Sequence, residues 1–320
     1  MSKQSRPSQV PRDWVPFGWQ GIRVFVPPDW TPAALTGTYE EGYFRLDGPE
    51  QPRLEVKWAQ NRGFVDIQRV VSRYLQSLTK GREGRKVQVT ESTKSAIKLP
   101  RERSSARFFH WRAEHEAFGA AWLCKTCGRT VLFQAMGPLG SDVQGVAEKI
   151  LAGLDDHPVG EKCLWSLYEF SCEVPTSFRL VNQRLLTGLL ELDFERGRDR
   201  LRIARWGLAN VALRGTDLQE WLRDKNRKQW RNFAVELKPA QINGHQGLAI
   251  AGPTNIPWLH LAAIGLRMLG RRYPDVLRGA AWTCEPGNKI YHVEAVVDPA
   301  DEEAVAEVIQ SIRCHREEGA

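Results

Sequence analysis

Hydrophobic and polar positions alternate over short runs in both halves of the chain. Residues 21–27 (GIRVFVP), 39–46 (YEEGYFRL) and 53–58 (RLEVKW) are rich in β-branched and aromatic side chains and are separated by turn residues, which predicts an antiparallel meander. The period then lengthens. From Asp66 to Lys80, the residues Ile67, Val70, Val71, Tyr74, Leu75 and Leu78 fall on one face of a helix, with Asp66 at its N-terminal end. Strands are expected near 106–124 and 129–136, and Ser141 to Leu154 places Val143, Val146, Ile150 and Leu151 on one helical stripe. The second half reads similarly: strands near 167–174, 186–194 and 200–206, a helix at 216–226, strands near 231–237, 244–251, 279–284 and 289–297, and a helix at 301–313.

The likeness extends to individual residues. Val26-Pro27, Trp30, Leu35-Thr36-Gly37, Arg53-Leu54 and Trp58 are followed in the same order by Val174-Pro175, Phe178, Leu186-Thr187-Gly188, Arg200-Leu201 and Trp206. Ala120 to Cys124 (AAWLC) matches Ala280 to Cys284 (AAWTC), and Val146 to Ile150 matches Val305 to Ile309. The offsets are 148 at Trp58 and Trp206, 160 at the cysteines and 159 in the last helix, as expected of collinear copies with a small net insertion in the second. This pattern predicts an α+β protein of two duplicated domains, each an antiparallel sheet packed under two helices. The domains are expected at 15–158 and 163–316, after a disordered tail at 1–14 and with a helical insertion at 253–277 in the second. The element order, with an entry strand ending Val-Pro-x-x-aromatic in each copy, resembles the PsbP-like fold. That resemblance implies a binding or accessory role and carries no common catalytic residue.

Composition narrows the classes. With 320 residues, 42% hydrophobic and 26% charged, the chain belongs among globular proteins of about two domains. The formal net charge of +7 permits an acidic partner without requiring one. The first ten residues, MSKQSRPSQV, lack the apolar stretch of a secretory signal, so a cytoplasmic setting is expected. No window has the roughly 20 apolar residues of a spanning helix. In such a setting the six cysteines are expected to be reduced or metal-bound rather than a disulfide framework. Phosphate loops, nucleophile elbows, H-E-x-x-H pairs and dinucleotide glycine motifs are missing from the sequence. His110 and His115 differ in strand parity, Glu114 and Glu116 read as solvent-facing, and His292 reads as a satisfied residue.

Three features carry candidate chemistry. The insertion centres on Ile256 to Gly270, the most apolar run in the chain, and predicts a helix that starts after Pro257 and stops by Pro274. Because the first copy lacks it, such a helix must bury itself between the copies, against another protein or at a membrane surface. Trp258, Leu259, Leu266 and Leu269 are the expected anchors, with Arg271 and Arg272 beside them. Docking a protein partner within a larger assembly is accordingly the leading functional expectation, without a cofactor; a membrane surface ranks last.

The second feature is basic. Lys80 to Arg107 holds nine basic and three acidic residues, and Arg198, Arg200 and Arg202 share one parity beside Trp206. With Lys86, Arg101 and Arg103 they form the candidate nucleic-acid surface, the alternative being a solvated face paired with acids. The third is Cys124-Lys-Thr-Cys127-Gly, a knuckle whose two thiolates supply half of a zinc site. His110, His115, His157, Cys163 or Cys172 would have to complete it. The matching Cys284-Glu-Pro-Gly keeps only the first cysteine, which favours plain hairpin cysteines.

Overall fold

The structure, a computed structural model, describes residues 7–80, 87–92 and 99–315. The chain divides into two compact units. The first runs to Gly160 and takes in Leu164–Tyr168; the second holds Glu161–Cys163 and the chain from Glu169.

The first unit contains β1 (Val15–Trp19), β2 (Ile22–Val26), β3 (Thr31–Gly37), β4 (Glu41–Asp47), β5 (Pro52–Gln60), α1 (Ile67–Lys80), β6 (Gln88–Ser92), β7 (Arg103–Arg112), β8 (His115–Cys124), β9 (Arg129–Pro138) and α2 (Val143–Ala152). The chain continues through β10 (Lys162–Leu167), β11 (Phe170–Pro175), β12 (Arg179–Leu186), β13 (Leu189–Arg196), β14 (Asp199–Gly207), α3 (Ala209–Ala212), α4 (Leu218–Lys225) and α5 (Arg227–Trp230). It ends with β15 (Glu236–Ile242), β16 (His245–Pro253), α6 (Pro257–Met268), β17 (Val276–Cys284), β18 (Lys289–Val297) and α7 (Glu302–Ser311).

Two seven-stranded antiparallel sheets dominate, with orders β3-β4-β5-β9-β8-β7-β6 and β12-β13-β14-β18-β17-β16-β15. Adding nine to each strand number converts the first order into the second. A third, smaller sheet holds the β1–β2 hairpin, and Ser166 of β10 pairs with Gly18 of β1.

This architecture corrects the expected fold class. Instead of an α+β protein with one sheet under two helices per domain, the molecule is sheet-dominated, with 48% strand against 22% helix among the described residues. Among the described residues, the second unit alone has five α-helices. The unanticipated strands explain the difference. β3 and β12 are sheet edges whose side chains are mostly exposed or half-buried, so neither shows the alternation that marks a half-buried strand. Residues 231–234, expected as strand, follow α5 with a single isolated bridge at Phe233–Thr254, and the continuous strand begins only at Glu236.

The helices sit where their apolar stripes require. Ile67, Val71 and Leu75 of α1 pack on Phe109, Trp111, Ala117, Ala121 and Leu132, each burial contributing about 1.5–3 kcal/mol before entropic costs. Trp221 and Leu222 of α4, with Trp230, cover Ile250, Leu277, Ala281 and Ile290 in the second unit. α2 and α7 follow the last strand of each sheet and bury Val143, Ala147, Ile150 and Leu151, and Val305 and Val308, respectively. Buried structure also reaches into the segment expected to be a tail, since Val10 and Trp14 are both buried. Within the described residues, no helix is long and apolar enough to cross a membrane.

Candidate metal centres and an exposed helical face

Cys124 is the last residue of β8. The turn that follows closes through Gly128 N–H to the Cys124 carbonyl at 2.9 Å, with Gly128 at φ +72°, so the chain re-enters β9 at Arg129 with Cys127 beside Cys124. The other half of this cluster comes from the tail after α2. Asp155 forms a two-way backbone bridge with Arg23 of β2, at 2.9 and 2.8 Å, and this holds Asp156 and His157 over the hairpin. The ligand-capable atoms of Cys124, Cys127, Asp156 and His157 all lie within 4.8 Å of one another. His157 Nδ1 is 3.5 Å from Cys124 Sγ and 2.7 Å from Asp156 Oδ1.

Buried cations and donors orient this carboxylate. Trp122 Nε1 donates to Asp156 Oδ2 at 2.6 Å, Arg103 Nε lies 3.3 Å from the same oxygen, and the Arg103 guanidinium covers the Trp122 ring. Burial pushes the Asp156 pKa up, but Arg103, Trp122 and His157 outweigh it and hold the group below the usual carboxylate range. The hydrogen bond from the Cys124 thiol brings Cys127 down to about 7, while Cys124, which keeps its proton for that bond and is buried, is pushed up.

The second unit holds a cluster in the equivalent place. Cys284 ends β17, and the tail after α7 is bridged to β11 through Arg313 N–H and the Ser171 carbonyl at 2.9 Å, so Cys314 and His315 lie over the hairpin. His245, first residue of β16, completes the group. Asn243 in the preceding turn fixes its position by donating to the Ile309 and Ile312 carbonyls at the end of α7, at 2.8 and 3.3 Å. The ligand-capable atoms of His245, Cys284, Cys314 and His315 again all lie within 4.8 Å of one another. His245 Nε2 is 3.1 Å from Cys314 Sγ, and His315 Nδ1 is 3.2 Å from Cys314 Sγ and 3.4 Å from Cys284 Sγ.

Of the ligands expected to complete the Cys124/Cys127 knuckle, only His157 arrives. His110 faces Glu116 at 3.6 Å, and His115, Cys163 and Cys172 lie outside both groups. Asp156, His245, Cys314 and His315 carry no motif spacing. The signal that pointed to His315 is the spacing between the two halves: His157 and His315 stand 158 residues apart, in step with the 159 and 160 of the neighbouring matches.

The apolar insertion is helical over α6, but its side chains do not go inward. Trp258 is 67% exposed, Met268 84%, and Leu261 and Leu269 are similarly open, while Leu259 and Leu266 are half-buried. Only Ala263 of the helix is buried. The polar side faces the body of the unit, where Arg267 is held by the buried carboxylates of Asp275 and Asp298. Arg272 pairs with Asp301, and Arg271 is exposed.

The basic residues do not form one surface. Arg103, a nucleic-acid candidate, is instead a core cation on Asp156. Arg198 lies in the turn before β14 over the Tyr273 ring, so it shares no strand face with Arg200 and Arg202. Arg202 is held by Asp193 at 2.6 Å and lies 3.8 Å from Glu294, and Arg200 lies 3.8 Å from Glu195. Trp206 is packed edge-on to Trp221 and stacked near His292, which removes it as a base platform. Arg101 is exposed; Lys86 lies outside the described residues. His292 is fully buried, and neither ring nitrogen has a hydrogen-bond partner, which corrects its reading as a satisfied residue.

No protein-family model matches the chain, and no curated protein sequence does. Among solved structures, the chain is similar to the immunity protein TplEi of T6SS from Pseudomonas aeruginosa, solved with an "L" peptide, at 8% identity and a TM-score of 0.30, over 95% of this chain and 99% of that one. It is also similar to MucB, solved with MucA(peri), at 10% identity and a TM-score of 0.20, over 92% and 83% of the two chains. At these TM-scores neither likeness carries an argument about fold or role.

Proposed function

We propose that the protein is a docking subunit, built from two copies of one module, that binds a protein partner through the outward face of α6. The shared strand order of the two large sheets and the ordered residue matches support the common origin. The observation that carries the docking reading is the orientation of α6. Its apolar side chains stand in solvent while Arg267 and two buried acids pin the polar side, so the helix cannot roll its apolar face inward without stranding two buried carboxylates.

An exposed apolar patch of this kind marks an interaction surface. The occupant favoured is a protein presenting an apolar groove with a carboxylate at one end, opposite the exposed Arg271 just past the end of α6. A lipid surface fits less well. Interfacial helices line their polar face with Lys and Arg, whereas the cation within α6, Arg267, points at Asp275 and Asp298.

The test uses the full-length chain as bait in native extract, followed by titration of the captured protein, purified, against wild type and Trp258→Glu/Met268→Glu. A weakening of at least tenfold in the variant, and a further weakening when the partner's acidic residues are neutralised, supports the reading. Equal affinity of wild type and variant overturns it. So does Trp258-dependent flotation with anionic vesicles, or a concentration-dependent dimer of this chain that the variant abolishes.

A further inference from the structure

We infer that the protein carries two structural zinc centres in topologically equivalent positions, one formed by Cys124, Cys127, Asp156 and His157 and the other by His245, Cys284, Cys314 and His315. Tetrahedral zinc, with Zn–S of about 2.3 Å and Zn–N or Zn–O of about 2.0 Å, sets neighbouring ligand atoms about 3.3–3.8 Å apart. The sulfur–nitrogen separations of 3.5, 3.4, 3.2 and 3.1 Å fall at or just below that range.

In the second group two imidazole nitrogens, His245 Nε2 and His315 Nδ1, both approach the Cys314 sulfur. The His315 nitrogen also approaches Cys284, so four soft or borderline donors converge on one point, the donor set that selects zinc.

The comparison between the units is the stronger argument. At equivalent places, Cys124 matches Cys284 and His157 matches His315, while the other donors have been exchanged. The second unit has Gly287 where the first has Cys127. Arg103 pairs with Cys124 across β7 and β8, and continuing the Gly247–Trp282 register brings His245 opposite Cys284. The second unit has therefore lost a knuckle cysteine and gained a histidine, and Cys314 replaces Asp156. Both groups keep four donors although only two positions agree. Residues kept for hairpin packing alone would have no reason to preserve that number. Each centre would fasten the tail after the last helix to the sheet hairpin some 30 residues earlier, and four protein ligands leave no open position, as in a structural site.

The test is metal content of the full-length protein purified from zinc-supplemented cells under reducing conditions. Native mass and elemental analysis should give two zinc ions per chain, and one each in Cys127→Ser and Cys284→Ser. Cobalt exchanged into the wild-type protein should show tetrahedral visible bands and thiolate charge-transfer absorption, a readout that does not depend on a variant folding. Alkylation of Cys284 and Cys314 should accelerate at least tenfold after chelation. Zero or one zinc per chain after reconstitution under reducing conditions overturns the inference. Metal content is read without a partner, and Trp258→Glu/Met268→Glu should still bind two ions, so the outcome is separable from that of the docking test.

Discussion

Arg267 Nε lies 2.9 Å from Asp298 Oδ2, and the same guanidinium reaches the buried Asp275, so one side chain on α6 neutralises two carboxylates of the sheet ends. Burial pushes the Asp298 pKa up, but the N–H groups of Tyr273 and Ala300, together with Arg267, hold the group below the usual carboxylate range. Its stabilising contribution is therefore present above the unfolded carboxylate pKa and is lost as pH falls through the depressed folded value.

Arg267→Ala should leave both acids without their cation and cost about 2–3 kcal/mol, less than a fully buried pair because the guanidinium is partly exposed. Hydrogen exchange of the α6 amides should rise at least tenfold, with Arg267→Lys intermediate. Unchanged protection across α6 would show that the helix is held by something other than this cation.

The fold was legible where one face of an element is buried. The β8–β9 and β17–β18 hairpins, α1, α2 and α7 all announced themselves through periodicity or through the Ala-Ala-Trp repeat. The edge strands β3 and β12 did not, because their side chains are open on both faces and Pro32 breaks the strand signature in β3. Half of the first cluster was visible as Cys-x-x-Cys, and His157 was among the residues named to complete it. Asp156 was not, because it arrives from a tail more than 25 residues later with no motif spacing, and in the second unit His245 comes from a separate hairpin turn. The apolar insertion was read correctly as a helix, but its side chains gave no hint that Arg267 would turn its polar edge inward.

Burial lowers the pKa of His292, with Glu294 raising it and Arg202 lowering it; Trp206 and Trp230 complete its surroundings. The folded protein holds the ring neutral, whereas the unfolded chain protonates it below about pH 6.5. The unfolded state thus binds more protons at lower pH, and this site should make stability fall by up to about 1.4 kcal/mol per pH unit below 6.5. Urea denaturation at pH 7.5 and 5.5 checks this: His292→Gln should show a smaller loss between the two than wild type. An equal loss would mean the ring does not titrate on unfolding in this window.

Trp122 and Trp282 occupy equivalent strand positions and are both fully buried, yet only Trp122 has a hydrogen-bond acceptor, because Asp156 stands where the second unit has Cys314. Trp282 instead stacks on Tyr291 with ring centroids 5.3 Å apart. Replacing either by Phe removes similar volume, so the packing losses should nearly cancel in the comparison. The hydrogen bond does not cancel. Trp122→Phe withdraws a donor from a buried, charged carboxylate and should cost about 1–2 kcal/mol more than Trp282→Phe. Chemical denaturation in the presence of a chelator isolates this difference from metal binding, since the Cys314 thiol is then free to stay protonated, with burial pushing it up to about 11. The excess should vanish when the acceptor is also removed, so Trp122→Phe in an Asp156→Ala background should cost no more than Trp282→Phe. Equal costs for the two single variants would mean that Arg103 and His157 suffice to stabilise Asp156 and that the indole contributes only bulk.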